Sequence, residues 1–451
     1  MVEPLYTADE MRAAEAGHDV DQLMARAGRA VAEEAMRRFP QARRFVAVCG
    51  GGANGGDGRI AVDVLRSAGR KAVVSDDVAG ADMILDALFG TGFHGEPRED
   101  AARKIEAINA AGAPVVAVDL PSGVNASTGE VAGACADAAL SVTMHGRKVG
   151  LEVAPGRFHA GEVVVVDIGL EPRETENGLV TPEILKQVPR KRADQNKYSA
   201  GTVLVVGGSR GLTGAPSLAA EAAFRADAGY VAVAAPESTL PVFEQRLLEA
   251  VKLPCPEDGG RISPRAIEPI VEFADKAGAV ALGPGLGRGP GPREVVSRLL
   301  AELEVPVVVD ADALFELEPF ERSAPTVLTP HEGELGRLLD EDSSWVAAHR
   351  LEAAKRGAER FGCVCLLKGA DTLIAEPGAG VWVCGLGTPA LATAGSGDVL
   401  TGVVSAFLAK GLEARVSAAA AAAACQLASK QIPQRGAVAS DVIHALPAAL
   451  D

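Results

Sequence analysis

At 451 residues the chain exceeds what one hydrophobic core usually organises, so more than one domain is expected. A hydrophobic share of 48% excludes a long disordered segment, and aromatics at only 4% leave small aliphatics to build the cores, as suits parallel sheets under closely packed helices. With 60 acidic against 44 basic residues, the net charge of −16 repels nucleic acid and anionic membrane, so neither is expected as a partner.

The opening stretch, MVEPLYTADEMRAAEAGHDV, is charged and carries no apolar core of a signal peptide. The β-branched runs at 45–49, 83–86, 115–119, 140–144 and 163–166 read as strands, while 60–68 and 100–111 space their apolar residues as helices do. Strand, glycine turn, helix, strand is the order of a Rossmann-like doubly wound α/β sheet, which takes ligands at the carboxyl ends of its strands. GGGANGGDG, at 50–58, directly follows the first of these strands. The backbone N–H groups of such a turn can cradle phosphate, although the spacing is not the usual G-x-G-x-x-G. Three further strings fall at strand ends: DALFGTGFHGE (86–96), DLPSGVNASTG (119–129) and TMHGRKVGL (143–151). Taken singly, each serves as an ordinary turn, with Asp119 capping the Pro121-Ser122-Gly123 bend. Lys148 reads as no more than a solvated or phosphate-facing cation.

After residue 168 the pattern breaks, and the stretch 169–196, rich in proline and charge, reads as linker and lead-in. The expected division is therefore a first domain over 1–172, a connection over 173–195 and a second domain over 196–451. A second α/β series follows, with strand-like runs at 202–206, 230–234, 279–281, 305–309, 326–328, 363–367 and 373–375. No sequence repeat relates the halves, so two different α/β domains are expected. The 7 cysteines are odd in number and show no zinc-type spacing, which points to reduced thiols; Cys363 and Cys365 alternate around Val364 as buried strand residues do. The alanine tract at 418–424 is too short to cross a membrane and reads as a tightly packed helix. Small side chains over 416–425 also suit packing between subunits, so a homo-oligomer is expected, in the cytoplasm.

The chemistry of the second half centres on LATAGSGDVLTGVVSAFLAKG (391–411). Gly395 and Gly397 let the backbone approach a ligand, and the free N–H groups of the helix that follows form an anion hole. Asp398 at that helix start can take a proton from an attacking hydroxyl beside a phosphoryl group. Alone, GSGD serves equally as a helix cap. It stands, however, in series with ALGPGLG (281–287), VVVDADAL (307–314), TPHEGEL (329–335) and LLKGADT (366–372).

In that order the strings resemble the ribokinase-like superfamily from about residue 196 onward. NKYSAGTVLVVGGSRGLTGAPSLAAEAAFRADAG (196–229) is similar to the opening of the ADP-dependent NAD(P)H-hydrate dehydratases. The resemblance implies a ribokinase-like fold in which Ala215, Gly285, His331 and Asp398 touch the hydrated nicotinamide substrate. It implies that Lys368, Gly369, Ala370, Asp371, Thr372 and Gly397 hold the nucleotide, with ADP as co-substrate, Mg²⁺ bridging its phosphates, Glu334 as an outer-sphere support and Asp398 as catalytic base. Gly387-Thr388-Pro389-Ala390 departs from the Asn-Pro-Gly that the family often carries there.

The strings of the first half, over roughly residues 5–170, together resemble the NAD(P)H-hydrate epimerase domain. By that resemblance Asn54, Asp86 and Ser122 hold a potassium ion, and Asp119 is the acid/base at C6. Substrate would meet Asn54, Gly55, Gly56 and Asp57, and also Gly90, Thr91, Gly92, Phe93, His94, Gly95 and Glu96. Ala53 stands where the family loop has the first of two asparagines. The implied protein is bifunctional, an isomerase of R- and S-NAD(P)HX and a lyase that returns the S form to NAD(P)H with ADP. Two other readings share these residues: a ribokinase-like kinase that leaves phosphate on a small alcohol, and a first half that only binds or assembles.

Overall fold

Short runs of valine, alanine and leucine make the strands, and in the computed structural model, which describes residues 2–451, most of these runs are buried along their length. The chain divides into two units, Pro4–Gly178 with Ala347–Leu351, and Leu179–Val346 with Glu352–Asp451 and the described N-terminal residues 2–3.

The first unit contains the last three residues of β1 (Val2–Tyr6), together with β2 (Arg44–Cys49), β3 (Lys71–Val74), β4 (Met83–Ala87), β5 (Val115–Val118), β6 (Leu140–Met144), β7 (Arg147–Lys148) and β8 (Glu162–Val166). Six of them form one parallel sheet in the order β3-β2-β4-β5-β6-β8. The order reverses between β2 and β4, and a doubly wound sheet opens its ligand crevice at such a reversal. β1 pairs in parallel with β7, setting Tyr6 opposite Lys148.

The glycine run after β2 is not the open turn expected over its whole length. A helix begins at Ala53 and runs to Ser67, so Asn54 through Gly58 form its first turns. The cause is packing. A side chain at Gly55 would collide with the carbonyl of Gly50, one at Gly56 with Met24, and one at Gly58 with Ala87. At Gly55 and Gly58 glycine serves close approach, not a left-handed turn, while at Gly56 the neighbour is the flexible thioether of Met24.

The second unit starts with β9 (Gly178–Val180) and a 3₁₀ turn at Pro182–Gln187, which send Val180 and Ile184 into its core. Its strands are β10 (Thr202–Val206), β11 (Tyr230–Pro236), β12 (Val251–Cys255), a small hairpin of β13 (Glu257–Asp258) and β14 (Arg261–Ile262), β15 (Ala279–Leu282), β16 (Val307–Val309), β17 (Thr326–Leu328), β18 (Val364–Leu367), β19 (Thr372–Ala375) and β20 (Val381–Cys384). Apart from the hairpin they run in the order β12-β11-β10-β15-β16-β17-β18-β19-β20, with β9 beside β20. Pairing is parallel up to β18 and antiparallel over the last two strands. Here the reversal lies between β10 and β15.

The helix Ser396–Ala409 crosses this sheet against the helix Gly214–Arg225, and a side chain at Gly402 would collide with the backbone carbonyl of Ala219. The alanine tract belongs to the helix Ala414–Ser429, where Ala418–Ala424 lie in the core of the unit itself. The face expected to pack between subunits is thus consumed inside one chain, because side chains this small let neighbouring helices close over it. Among the described residues no helix is long and apolar enough to cross a membrane.

Candidate active sites

At the first reversal point a cavity of about 780 Å³ opens over the ends of β2 and β4. Its walls include Asn54 and Asp57 from the helix after β2, the loop Gly90–His94 after β4, and Asp119 after β5. Glu15, from the helix Ala8–Glu15, and Lys148 complete it.

Asp119 takes a left-handed backbone, φ 69°, that turns its carboxyl into this space. One oxygen, Oδ1, accepts from Thr143 Oγ1 at 2.8 Å, Lys148 Nζ at 2.7 Å and the backbone N–H of Met144 at 3.3 Å. Among the described residues no donor reaches the other oxygen, which is left to a ligand. Lys148 is fully buried and also donates to Thr143 Oγ1 at 2.8 Å and to the Met144 carbonyl at 2.7 Å. The expectation of a solvated or phosphate-facing Lys148 is therefore corrected: the pairing of β7 with β1 turns it inward, and a lysine that deep persists only with a counter-charge.

Two more carboxyls share the cavity. Burial, and then the negative charge of Asp119, push Glu15 above the usual carboxylate range. The same causes, with Glu15 added, push Asp57 up to about 8, so it is a neutral acid at pH 7.

Asp86 and Ser122 lie beneath the cavity, both fully buried. Asp86 accepts from the Ser122 hydroxyl at 2.6 Å, the Ser122 N–H at 2.7 Å and the Leu88 N–H at 3.3 Å. Burial raises its pKa, and among the described residues no cation pairs with it. Asn54 Nδ2 donates to the Phe89 carbonyl at 2.7 Å, which frees its amide oxygen.

The residues brought together here are Asn54, Asp57, Gly90, Thr91, Gly92, Phe93, His94 and Asp119. Gly55, Gly56, Gly95 and Glu96 are not among the lining residues. Glu15 and Lys148 were not anticipated.

In the second unit Asp398 occupies the first turn of its helix, after Gly395 at φ 90°. Lys368, after β18, donates to Asp310 Oδ1 at 2.9 Å and lies 3.6 Å from Glu334 Oε2. The other oxygen of Asp310 accepts from Thr401 Oγ1 at 2.7 Å, so one buried carboxylate ties the lysine to the helix that carries Asp398. Burial and the negative charge of Asp310 push Asp398 up to about 7 against the pull of Lys368. For Lys368 burial acts downward, but Asp310 and Glu334 outweigh it and the net shift is upward. A side chain at Gly397 would stand in ordinary contact with Lys368 Nζ, at 3.4 Å, which sets this helix start directly beside the cation.

The remaining expected residues frame this centre. His331 caps the helix Glu332–Leu339: its Nδ1 accepts from the N–H groups of Gly333 at 3.0 Å and Glu334 at 3.3 Å, while Glu334 accepts from the His331 N–H at 2.8 Å. Its Nε2 lies 3.5 Å from Glu334 Oε1. The Gly285 carbonyl accepts from the N–H groups of Gly208 at 2.9 Å and Ser209 at 2.7 Å, and so braces the two loops at the reversal point. Ala215 opens the helix Gly214–Arg225. Gly369 and Ala370 are exposed, whereas Asp371 and Thr372 are buried, with Thr372 Oγ1 donating to the Gly369 carbonyl at 3.0 Å. Asp310, visible beforehand only as one of two carboxylates at a strand end, proves to be the hub.

Residues 203–448 match a family model described as NAD(P)H-hydrate dehydratase, and residues 20–81 and 73–150 match one described as YjeF-related protein N-terminus. The bifunctional NAD(P)H-hydrate repair enzyme Nnr of Moorella thermoacetica is 37% identical over 94% of this chain and 91% of its own. The enzyme of that name from Salinibacter ruber is 35% identical over 98% and 95%. Among solved structures, ADP/ATP-dependent NAD(P)H-hydrate dehydratase from Bacillus subtilis, co-crystallised with ATP and Mg²⁺, aligns with a TM-score of 0.53 at 28% identity, covering 60% of this chain and 96% of that one.

Proposed function

This chain belongs to the family of bifunctional NAD(P)H-hydrate repair enzymes, and on that premise we propose how its residues divide the work. The first unit interconverts the R and S forms of NAD(P)HX at C6, with Asp119 as acid/base. The second dehydrates the S form at the expense of ADP, with Asp398 as base. One observation carries the reading: Asp119, in the turn after β5, is ion-paired to the fully buried Lys148, and Asp398 opens its helix near the buried Asp310, whose negative charge adds to burial in holding the Asp398 proton.

In dehydration Asp398 takes the C6 hydroxyl proton, and the freed oxygen attacks the terminal phosphorus of ADP, releasing AMP. The lone pair on the ring nitrogen then expels phosphate, a far better leaving group than hydroxide, and loss of a C5 proton restores NAD(P)H. Lys368 and the open N–H groups around Gly397 hold phosphate oxygens, with Gly369, Ala370, Asp371 and Thr372 shaping the nucleotide loop. Ala215, Gly285 and His331 frame the hydrated nicotinamide.

Mg²⁺ fits beside Glu334, whose carboxylate is the hard oxygen donor such an ion takes. When bound it neutralises nucleotide phosphates. Potassium fits Asn54, Asp86 and Ser122, an all-oxygen set in which, among the described residues, no cation pairs with the buried Asp86. Beneath the loop Gly90–His94 it would fix the wall that receives substrate. The chain works as a homo-oligomer in the cytoplasm, and the exposed Val242, Leu248 and Val251, the last on the edge strand β12, offer apolar surface to a second copy. Sedimentation velocity tests that assembly.

The decisive assay mixes purified protein with R/S NADHX in potassium buffer and follows NADH absorbance with ADP, ATP or no nucleotide. Near-complete recovery with ADP and none without nucleotide is expected. Recovery that halts at the S fraction removes the epimerase assignment. No recovery with either nucleotide, and a stable phosphorylated alcohol instead, favours the kinase.

A further inference from the structure

Inverting a carbon that bears a hydroxyl takes two proton-handling groups: an acid where the hydroxyl departs and a base where water returns. Microscopic reversibility exchanges their roles for the opposite epimer. Asp119 supplies only one of them. We propose that Asp57 is a second catalytic residue of the epimerase site, the acid that protonates the departing C6 hydroxyl while Asp119 deprotonates the incoming water. This deepens the epimerase assignment and rests on it.

The geometry sets the two carboxyls apart. They line one cavity from different elements, Asp57 from the helix Ala53–Ser67 and Asp119 from the turn after β5. Asp119 is ion-paired to Lys148 with one oxygen saturated. Among the described residues Asp57 makes no ion pair and no side-chain hydrogen bond, so nothing there stabilises its charged form. Its remaining titratable neighbours around the cavity are Glu15 on the first helix, Cys49 at the end of β2, and His94, Asp100 and Lys104 toward the loop after β4. Lys104 is committed to Asp76 at 3.1 Å and Asp100 at 3.4 Å. The nearest charges on Asp57 are therefore negative, from Asp119 and Glu15, and together with burial they keep its proton in place up to about pH 8. A carboxyl held protonated across a cavity from one that is ion-paired to a lysine has the makings of an acid–base pair.

The step balances. The lone pair on ring N1 forms the N1=C6 bond as the C6–O bond breaks, and the departing oxygen takes the proton of Asp57 and leaves as water. A water on the opposite face then bonds to C6, the N1=C6 electrons return to nitrogen, and Asp119 takes the proton released. Asp57 ends ionised and Asp119 protonated, which is the form ready for the opposite epimer; exchange with solvent through the cavity resets it.

The test uses the full chain and R-NADHX without nucleotide, with R-to-S conversion followed chromatographically. Dehydration of S-NADHX with ADP, performed by the other unit, serves as the internal reference. Wild-type kcat/KM for epimerisation should fall as pH rises through about 8, where Asp57 loses its proton. Asp57→Asn should lower kcat by ~100-fold or more, the usual worth of a positioned acid, with KM within about 3-fold and dehydration unaltered. Asp57→Glu should restore part of the rate together with the basic limb. Asp57→Asn within ~10-fold of wild type overturns the proposal. Should that variant unfold the first unit, the wild-type profile decides, and a flat profile between about pH 7 and about pH 9 is equally fatal. A wild-type chain that fails to epimerise R-NADHX at any pH instead removes the reading beneath it.

Discussion

Replacing Lys148 with methionine keeps the aliphatic stem and deletes the charge from a position with no solvent exposure. Three bonds of 2.7–2.8 Å go with it, and the carboxyl of Asp119, itself only 12% exposed, loses its cationic partner. Removing one member of a buried pair costs ~3–5 kcal/mol, because the other must stay charged without a partner or take up a proton. Asp119 faces a water-accessible cavity, which softens the penalty, so we expect about 3 kcal/mol, roughly a 150-fold drop in the folding equilibrium of the first unit. Both tryptophans, Trp345 and Trp382, lie in the second unit, so fluorescence reports that unit alone. Hydrogen exchange across Leu140–Met144 reads the first unit, with fluorescence as the unchanged reference. Epimerisation should fall as well. Adding Asp119→Asn to Lys148→Met should return most of the lost stability, since the stranded charge is then gone, but not the activity. The reasoning fails if Lys148→Met leaves exchange of this strand within ~0.5 kcal/mol of wild type.

Asp398→Asn should abolish dehydration and leave epimerisation intact. It should also stabilise the second unit. Below about pH 4 the carboxyl is protonated in folded and unfolded chains alike. Between there and about 7 only the unfolded chain ionises, so native stability falls as pH rises; asparagine removes that loss. A gain on the order of 1–3 kcal/mol at pH 8, absent at pH 4, should appear in urea titrations followed by tryptophan fluorescence. Asp310→Asn removes the negative charge that helps hold the Asp398 proton, so the acidic limb of the dehydration profile should move below about 7 while KM for ADP rises as Lys368 loses its anchor. Finding the limb unmoved would break that link. Gly402→Ala drives a methyl group into the Ala219 carbonyl and should destabilise the second unit by ~2 kcal/mol or more without changing exchange in the first.

Much of this was legible beforehand for an identifiable reason. Central parallel strands are buried on both faces, so β2, β4, β5, β10 and β15 announce themselves as largely apolar runs, while β6 interleaves them with Ser141 and Thr143. The strands missed lie toward sheet edges or break the run: KAVV in β3, VKLPC in β12, VWVC in β20. The helix start that carries Asp398 was legible because chain-local features make it, namely small residues followed at once by a helix. Lys148 was not, because its burial depends on Asp119 and on the pairing of β7 with β1, and neither leaves a mark near residue 148. Glu15 sits on a short amphipathic helix where a polar residue carries no signal. VVVDADAL offered two carboxylates at one strand end, and only tertiary structure shows Asp310 turned inward onto Lys368 and Thr401 while Asp312 accepts from the Gly287 N–H.

The crossing of main chain over main chain at Gly402 has a consequence for how this site ages and warms. Where helices are spaced by interleaved side chains, their separation drifts with every rotamer hop and every conservative replacement. Here the helix bearing Asp398 rests on a peptide carbonyl, a stop that neither rotates nor mutates. Residues elsewhere in that core can exchange alanine for valine over generations, or loosen with temperature, while the carboxylate keeps its address to within the hardness of two backbones.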